Sequence, residues 1–105
     1  GALIEQSFFN KINELDNFTI EFFRTNDGLE IDFIIYNQND LFCIELKKDQ
    51  FIYASDLEAL LIFDEKFKYN QKLLVLHNGI RDNSEGKIKI RPMDKWIYEY
   101  QNNFF

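Results

Sequence analysis

Apolar residues recur along the chain at two spacings, and each spacing predicts one type of element. Residues 2–15 carry apolar side chains at intervals of three and four, which is the repeat of an amphipathic helix. Residues 55–67 show the same repeat, and Ser55 precedes Glu58 by three positions in the pattern of a helix capping box. Four further segments are short apolar runs of strand length: residues 18–24, 31–36, 41–46 and 72–77. The predicted order is therefore a helix, three strands, a second helix and a fourth strand.

The C-terminal part of the chain is more polar and predicts less regular structure. Residues 78–87 are polar and contain glycine, so we expect a loop there. Residues 88–92 alternate in polarity like a short strand, which Pro92 ends or confines to the edge of a sheet. Residues 93–100 predict a terminal helical turn, and residues 101–105 predict a frayed or docked tail.

This order of elements predicts an α/β fold with a mixed β-sheet and helices on both faces. The third strand reaches the fourth through the second helix, and a crossover of this kind makes the two strands parallel. Residues 72–77 are almost wholly apolar, which is typical of a strand that is covered on both faces. The predicted core is a helix, a three-stranded meander, a helix and a strand, in a single domain that spans residues 1–105.

The turn between the second and third strands fixes a register. Residues 37–40 are turn formers, and if they make the loop, Tyr36 stands opposite Leu41. Counting outward from the turn places Phe33 opposite Ile44, on a face that is wholly apolar. Because side chains alternate along a strand, the other face receives the charged residues of the pair.

That charged face carries three acids and one lysine. The register sets Asp32 opposite Glu45, and Glu30 opposite Lys47. Two carboxylates about 5 Å apart across a ladder repel each other by about 3 kcal/mol at an effective dielectric constant of roughly 20. A divalent cation such as Mg²⁺ would offset this cost, whereas Lys47 would offset only part of it. The alternative interpretation of this face is an edge hairpin with a solvated charged surface. For Lys47 itself, the alternative to a site role is a salt bridge to Glu30.

Composition narrows the functional classes. The chain has 105 residues, 46% of them hydrophobic, which fits one globular domain rather than a disordered chain. Its formal net charge of −6 argues against strong non-specific binding to nucleic acid. The single cysteine, Cys43, excludes an internal disulfide and is interpreted as a small buried hydrophobe in a reducing compartment. No apolar run is long enough to span a membrane, so we expect a cytoplasmic protein without a membrane partner.

Three further residues are judged by their place in the pattern. Glu5 lies three and four positions before Phe8 and Phe9, beside the apolar stripe of the first helix, and is predicted to point inward. His77 ends an apolar strand beside a turn, and we predict a structural or solvent-exposed role for it rather than catalysis. The aromatic residues, Trp96 included, recur at helix and strand spacings, so we interpret them as core residues rather than base-stacking platforms.

Three short motifs occur in order along the chain: GALIE at residues 1–5, RTNDGLEIDFI at residues 24–34 and IELK at residues 44–47. With the predicted order of elements, they resemble the PD-(D/E)XK nuclease superfamily, whose restriction endonuclease-like core has the same helix, meander, helix and strand. The chain is more closely similar to the C-terminal domain of uncharacterised bacterial and archaeal AAA-type ATPases. One position departs from the superfamily pattern, because Ile31 rather than proline precedes Asp32.

The resemblance implies a metal site and an activity. Asp32 and Glu45 would bind Mg²⁺ or Mn²⁺, with the backbone carbonyl of Leu46 as a third ligand. Lys47 would position the attacking water or stabilise charge on the phosphate, and Glu5 would be an accessory acid from the first helix. The implied reaction is metal-dependent hydrolysis of phosphodiester bonds, with DNA as the substrate that the superfamily association indicates. The alternative is a catalytically weak or silent interaction or regulatory domain.

The resemblance also implies a longer polypeptide. The chain contains no GxxxxGK[ST] phosphate-binding loop, so an ATPase module would lie on an N-terminal part of the same polypeptide. The first residue is not Met, which also indicates a C-terminal fragment. The oligomeric state cannot be predicted from the sequence.

Overall fold

In the computed structural model, residues 2–14 and 18–102 are described, and they form three helices and six strands. The elements in chain order are α1 (Ala2–Asn13), β1 (Thr19–Arg24), β2 (Glu30–Tyr36), β3 (Leu41–Leu46), α2 (Ala54–Lys66), β4 (Lys72–His77), β5 (Asn83–Glu85), β6 (Ile88–Pro92) and α3 (Met93–Gln101). Some residues of the predicted elements and motifs lie outside the described residues: Gly1, Leu15 and residues 103–105. No helix within the described ranges is long and apolar enough to cross a membrane.

The six strands form one mixed sheet in the order β1-β2-β3-β4-β6-β5. β1, β2 and β3 are an antiparallel meander, β4 is parallel to both of its neighbours, and β5 is antiparallel to β6. The predicted α/β class and the parallel crossover from β3 through α2 to β4 are therefore confirmed. The parallel pair of β3 and β4 needs a long connection across the sheet, and α2 provides it.

The helices cover both faces of the sheet, as predicted. One core cluster joins the first face of the sheet to α1 and α3, whose buried side chains are Ile4, Phe8, Ile12, Met93, Trp96 and Ile97. The other cluster joins the second face to α2 through Leu60 and Phe63. β4 is buried on both faces from Leu73 to His77, which explains its nearly continuous apolar sequence.

The register of β2 and β3 follows the prediction near the turn and departs from it at the acids. Tyr36 pairs with Leu41, and pairing continues to Phe33 opposite Ile44. The ladder between these two described strands ends there, and it lacks two predicted pairs, Asp32 with Glu45 and Glu30 with Lys47. The alternative of an edge hairpin is also wrong, because β2 and β3 both lie inside the sheet.

A β-bulge in β2 explains the departure. The register between β1 and β2 shifts by one residue between Glu21 and Phe23. Two residues of β2, Asp32 and Phe33, therefore stand opposite one residue of β1. Ile31 and Phe33 belong to clusters on opposite faces of the sheet, although residues two apart in a regular strand share a face. The bulge thus changes the direction of Asp32 without removing its apolar neighbours from the core.

The C-terminal part is more regular than the sequence predicts. The predicted loop at residues 78–87 contains the short edge strand β5. β6 lies between β4 and β5, so Pro92 ends this strand but does not confine it to an edge. The predicted terminal helical turn is the nine-residue helix α3, whose Trp96 is buried in the core.

The N-terminus of α2 is capped differently from the prediction. The residue before the helix is Tyr53 rather than Ser55, and its N–H donates a hydrogen bond to Oδ2 of Asp56 at 2.8 Å. Asp56 therefore has the capping role that the sequence pattern assigned to Glu58. This shift fixes the carboxylate of Asp56 in the first turn of α2.

Two buried residues, Cys43 and His77, have structural roles. Cys43 is fully buried, and burial with the nearby charge of Asp64 raises the pKa of its thiol to about 12, so the thiol is inert at neutral pH. His77 is fully buried too. Its Nδ1 accepts a hydrogen bond from the N–H of Gly79 at 2.9 Å, and its Nε2 lies 2.8 Å from the carbonyl oxygen of Arg81. Both ring nitrogens thus hold the turn after β4, in agreement with the predicted structural role.

Candidate functional site

A cleft opens where β2 begins and β3 ends. Its walls include all five residues that the sequence assigned to a site: Glu5, Asp32, Glu45, Leu46 and Lys47. α1 supplies the first of these residues, β2 the second, and β3 with the residue after it supplies the other three. The fold therefore brings the predicted residues together, although the bulge prevents the strand pairing from which their proximity was inferred.

The carboxyl group of Glu45 is an acid of the cleft that is largely removed from solvent. Its Oε1 is buried and has no hydrogen-bond partner among the described residues. Burial, followed by the negative charge of Asp32, raises the pKa of Glu45 to about 8. A buried acceptor without a donor is costly, so this oxygen is a site where a proton or a cation would stabilise the folded protein.

Asp32 is bound to the backbone of the neighbouring strand. Its Oδ2 accepts a hydrogen bond from the N–H of Leu46 at 2.9 Å. This bond satisfies a backbone donor that lies beyond the end of the regular β2–β3 ladder. The bulge and the hydrogen bond together fix the carboxylate of Asp32 beside Glu45, and the negative charge of Asp32 contributes to the raised pKa of Glu45.

Lys47 is held by Asp56, an acid that the sequence motifs do not assign to the site. Its Nζ lies 2.6 Å from Oδ1 of Asp56, and both residues line the cleft. The hydrogen bond that Lys47 donates to Asp56 raises the pKa of Lys47, although burial opposes this effect. At Asp56, burial raises the pKa of the carboxyl group. The hydrogen bonds from Lys47 and from the N–H of Tyr53 outweigh burial, so the pKa is lowered. Lys47 is therefore a fixed cation at neutral pH and not a base.

The only sequence signal for Asp56 is its possible role as a capping residue at the N-terminus of α2. The segment after β3 offers two acids at capping positions, Asp56 after Tyr53 and Glu58 after Ser55. The usual capping box pairs Ser or Thr with Glu three residues later, which favours Ser55 and Glu58. With Ser55 as the cap, Asp56 has no capping role. The structure selects the other alternative.

Two of the acids are placed differently from the predictions. Glu5 lines the cleft but is exposed rather than inward-pointing, because the buried stripe of α1 follows Ile4 and not its neighbour. Glu30 is exposed and lies outside the cleft, where it forms an ion pair with Arg24 of β1. The predicted alternative of a salt bridge between Glu30 and Lys47 is therefore wrong.

The carboxylates of the cleft suit a hard divalent cation that takes few of its ligands from the protein. Within residues 2–14 and 18–102, no group of three or more His, Cys, Asp or Glu side chains is placed to hold a metal ion. Five acids line the cleft, and one of them is paired with Lys47; the five are Glu5, Asp32, Glu45, Asp49 and Asp56. Asp32 and Glu45 are the two that lie beside each other. Mg²⁺ is commonly bound by one or two carboxylates and keeps several waters. The unpartnered Oε1 of Glu45 is the observation that favours a cation here.

Replacing Asp32 by Asn should leave the metal-free protein as stable as the wild type or more stable, by up to about 1 kcal/mol. The amide removes the charge beside Glu45 and keeps an oxygen that can accept the N–H of Leu46. Asp32→Ala leaves that N–H without its acceptor, and should cost about 1–3 kcal/mol. Urea denaturation in EDTA would measure both variants. A marked loss of stability in Asp32→Asn would show that the charge itself is needed for folding.

Comparison with known proteins gives one family. The profile of a family described as a domain of unknown function (DUF4143) matches residues 1–96. No curated protein matches the chain. Domains of this family are typically found in proteins associated with AAA-type ATPases. With nearly its whole length matched, the chain belongs to the DUF4143 family.

Proposed function

We propose that the protein is a divalent-metal-dependent nuclease domain that hydrolyses phosphodiester bonds in DNA. The observation that carries this proposal is the pair of Asp32 and Glu45, with the buried, unpartnered Oε1 of Glu45, in a cleft that also contains a fixed cation, Lys47. The resemblance of the motifs to the PD-(D/E)XK superfamily supports the reaction type. The choice of DNA rests on the association with that superfamily.

Each residue of the cleft has a defined role in this proposal. Asp32 and Glu45 would hold the cation through their carboxylates, with the carbonyl of Leu46 as the third protein ligand. When bound, Mg²⁺ or Mn²⁺ would supply a water of lowered pKa and would neutralise charge on the phosphate. Lys47 remains protonated and stabilises the negative charge that develops on the phosphate oxygens.

Two further acids shape the site. Asp56 limits the positions that the Lys47 side chain can adopt, because its own carboxylate is fixed by the N–H of Tyr53. Glu5 approaches from α1 with an exposed carboxylate, which suits an accessory group that contacts water or substrate rather than a buried ligand.

Mn²⁺ titration followed by calorimetry tests the metal site directly. The wild type should give a binding heat, and Asp32→Ala and Glu45→Ala should lose it. Glu30→Ala is the matched control, because it removes an exposed acid from the same strand but outside the cleft. Equal binding by the wild type and by both cleft variants would refute the proposed ligands.

A cleavage assay tests the reaction. Single-stranded, duplex and branched DNA should be incubated with the protein in Mg²⁺ or Mn²⁺, and Lys47→Ala should reduce any cleavage by about 100-fold or more. The domain by itself should be a weak nuclease, because its net charge of −6 disfavours a polyanion. An ATPase module on a longer polypeptide would then supply the missing affinity by holding the substrate at the site.

Two observations favour a second candidate function, an interaction or regulatory domain for an AAA-type ATPase. The net charge is unfavourable for a nuclease, and the ion pair with Asp56 occupies Lys47. In this alternative the acids line the cleft but bind no cation. Absence of both metal binding and cleavage, in the domain and in the longer polypeptide, would refute the nuclease and favour this alternative.

A further inference from the structure

Two uncovered aromatic rings lie at the rim of the cleft. Phe51 and Tyr53 follow β3 and precede α2, and their side chains are 69% and 70% exposed. Both residues line the cleft that holds Glu45 and Lys47, and both also line an adjoining groove beside Ile80. Most aromatic side chains of the described residues pack in the core or against it, as the sequence predicts, but these two do not.

The segment that carries the rings is held in place by hydrogen bonds. The N–H of Phe51 donates to Oδ1 of Asp49 at 3.1 Å, and the N–H of Tyr53 donates to Asp56. Ile52, between the two, packs against the core on the α2 face. The rings are therefore displayed by an anchored segment, which limits the conformational entropy that binding would cost.

The same segment is fastened to the turn after β4. Oε1 of Gln50 accepts hydrogen bonds from the N–H groups of Ile80 and Arg81 at 2.9 and 3.0 Å. A methyl group on Gly79 would lie 2.7 Å from that oxygen, so the turn fits closely around the Gln50 side chain. Both sides of the groove are thus fixed relative to each other.

An exposed cation outside any ion pair accompanies the rings. Lys48 lines the cleft, as does the neighbouring Asp49. Among residues 2–14 and 18–102 Lys48 forms no ion pair, whereas the adjacent Lys47 is paired with Asp56. A cation beside two exposed rings is a combination that binds single-stranded nucleic acids, since phosphates bind the cation and unstacked bases stack on the rings.

We propose that Phe51 and Tyr53 form a base-stacking platform that selects single-stranded nucleic acid, with Lys48 as a phosphate contact. This inference rests on the proposed function, because it names the substrate class of the same cleft. Bases inside an intact duplex do not expose their faces to such rings, so a duplex would gain little from the platform. A protein partner would use the whole apolar groove, including Ile80, which is aliphatic and cannot stack with a base in this way.

Fluorescence anisotropy with a labelled oligothymidylate in EDTA tests the platform without metal or cleavage. The wild type should bind the single strand more tightly than a blunt duplex of the same length. Phe51→Leu and Tyr53→Leu keep an apolar side chain but lose the ring, and each should weaken binding by about tenfold. Tyr69→Ala, which removes an exposed ring from outside the cleft, should bind like the wild type. Thermal unfolding would verify that the variants remain folded.

The outcomes separate this inference from the proposed function. Unchanged binding in the two leucine variants, equal affinity for duplex and single strand, or no binding at all would overturn the platform. If Ile80→Ala weakened binding of the oligonucleotide as much as Phe51→Leu does, the platform would be overturned too. That result would indicate an apolar surface for a protein partner. Metal binding by calorimetry is measured without oligonucleotide, so failure of the nuclease proposal would appear there, independently of the anisotropy result.

Discussion

Replacing Glu45 by Gln should stabilise the metal-free protein by on the order of 5 kcal/mol above pH 8, and should leave its stability near pH 4.5 almost unchanged. The pKa of Glu45 is raised from 4.5 to about 8 by burial and by the charge of Asp32. Between these two pH values the folded protein keeps a proton that the unfolded chain has released. The free energy of unfolding therefore falls as pH rises through this window and levels off above it.

A neutral glutamine at this position removes that dependence. Urea denaturation in EDTA at several pH values would show a falling stability for the wild type and a flatter profile for Glu45→Gln. Glu30→Gln changes an exposed acid outside the cleft, and serves as the matched control with a profile like that of the wild type. If the free energy of unfolding changed with pH in the same way for Glu45→Gln and the wild type, Glu45 would be ionised in the metal-free folded protein.

Replacing Phe8 by Ala should destabilise the protein by about 3–5 kcal/mol. Phe8 is fully buried, and its ring centroid lies 5.1 Å from that of Phe33 and 6.4 Å from that of Trp96. The substitution removes the contact that fastens α1 both to β2 and to α3. Because Glu5 stands one turn away on the same helix, the accessory acid depends on this packing for its place at the cleft.

Leu3→Ala is the matched control for this experiment. Leu3 belongs to the same helix but is 89% exposed, so its truncation should change the free energy of unfolding by less than about 0.5 kcal/mol. Denaturation by urea would measure both variants. A cost below about 1 kcal/mol for Phe8→Ala would mean that α1 is not held to the sheet by the core described above.

The elements that the sequence predicts best are those with a local signal. The turn at residues 37–40 is one, because the side chain of Asn37 accepts hydrogen bonds from the N–H groups of Asn39 and Asp40, both at 2.8 Å. That turn sets the register from Tyr36 to Phe33 correctly. The bulge at Asp32 has no such signal, because it depends on how β1 pairs with β2, and that register is ambiguous in the sequence.

Other departures have different physical reasons. β5 is polar along its whole length and lies at the edge of the sheet, so no hydrophobic pattern marks it. α3 is stabilised by the burial of Trp96 against α1 and the sheet, which is a tertiary effect that a short segment does not reveal. The candidate site residues carry two signals in the sequence, the register of the turn at residues 37–40 and the motifs of the resemblance, while Asp56 requires the three-dimensional structure. The roles of these residues in metal binding and hydrolysis stay predictions.

The connection from β3 to β4 has a consequence for the order of folding. β1, β2 and β3 are joined by short turns, whereas β3 and β4 can pair only after the chain has passed through α2. Closing a longer connection costs more entropy, so the hairpins are expected to form before the parallel pair. Glu45 stands beside Val75 of β4 and becomes buried only at that late step. Above pH 8, where Glu45 is ionised, removal of its buried charge should therefore slow unfolding and leave the folding rate nearly unchanged, so the native protein would persist longer without folding faster.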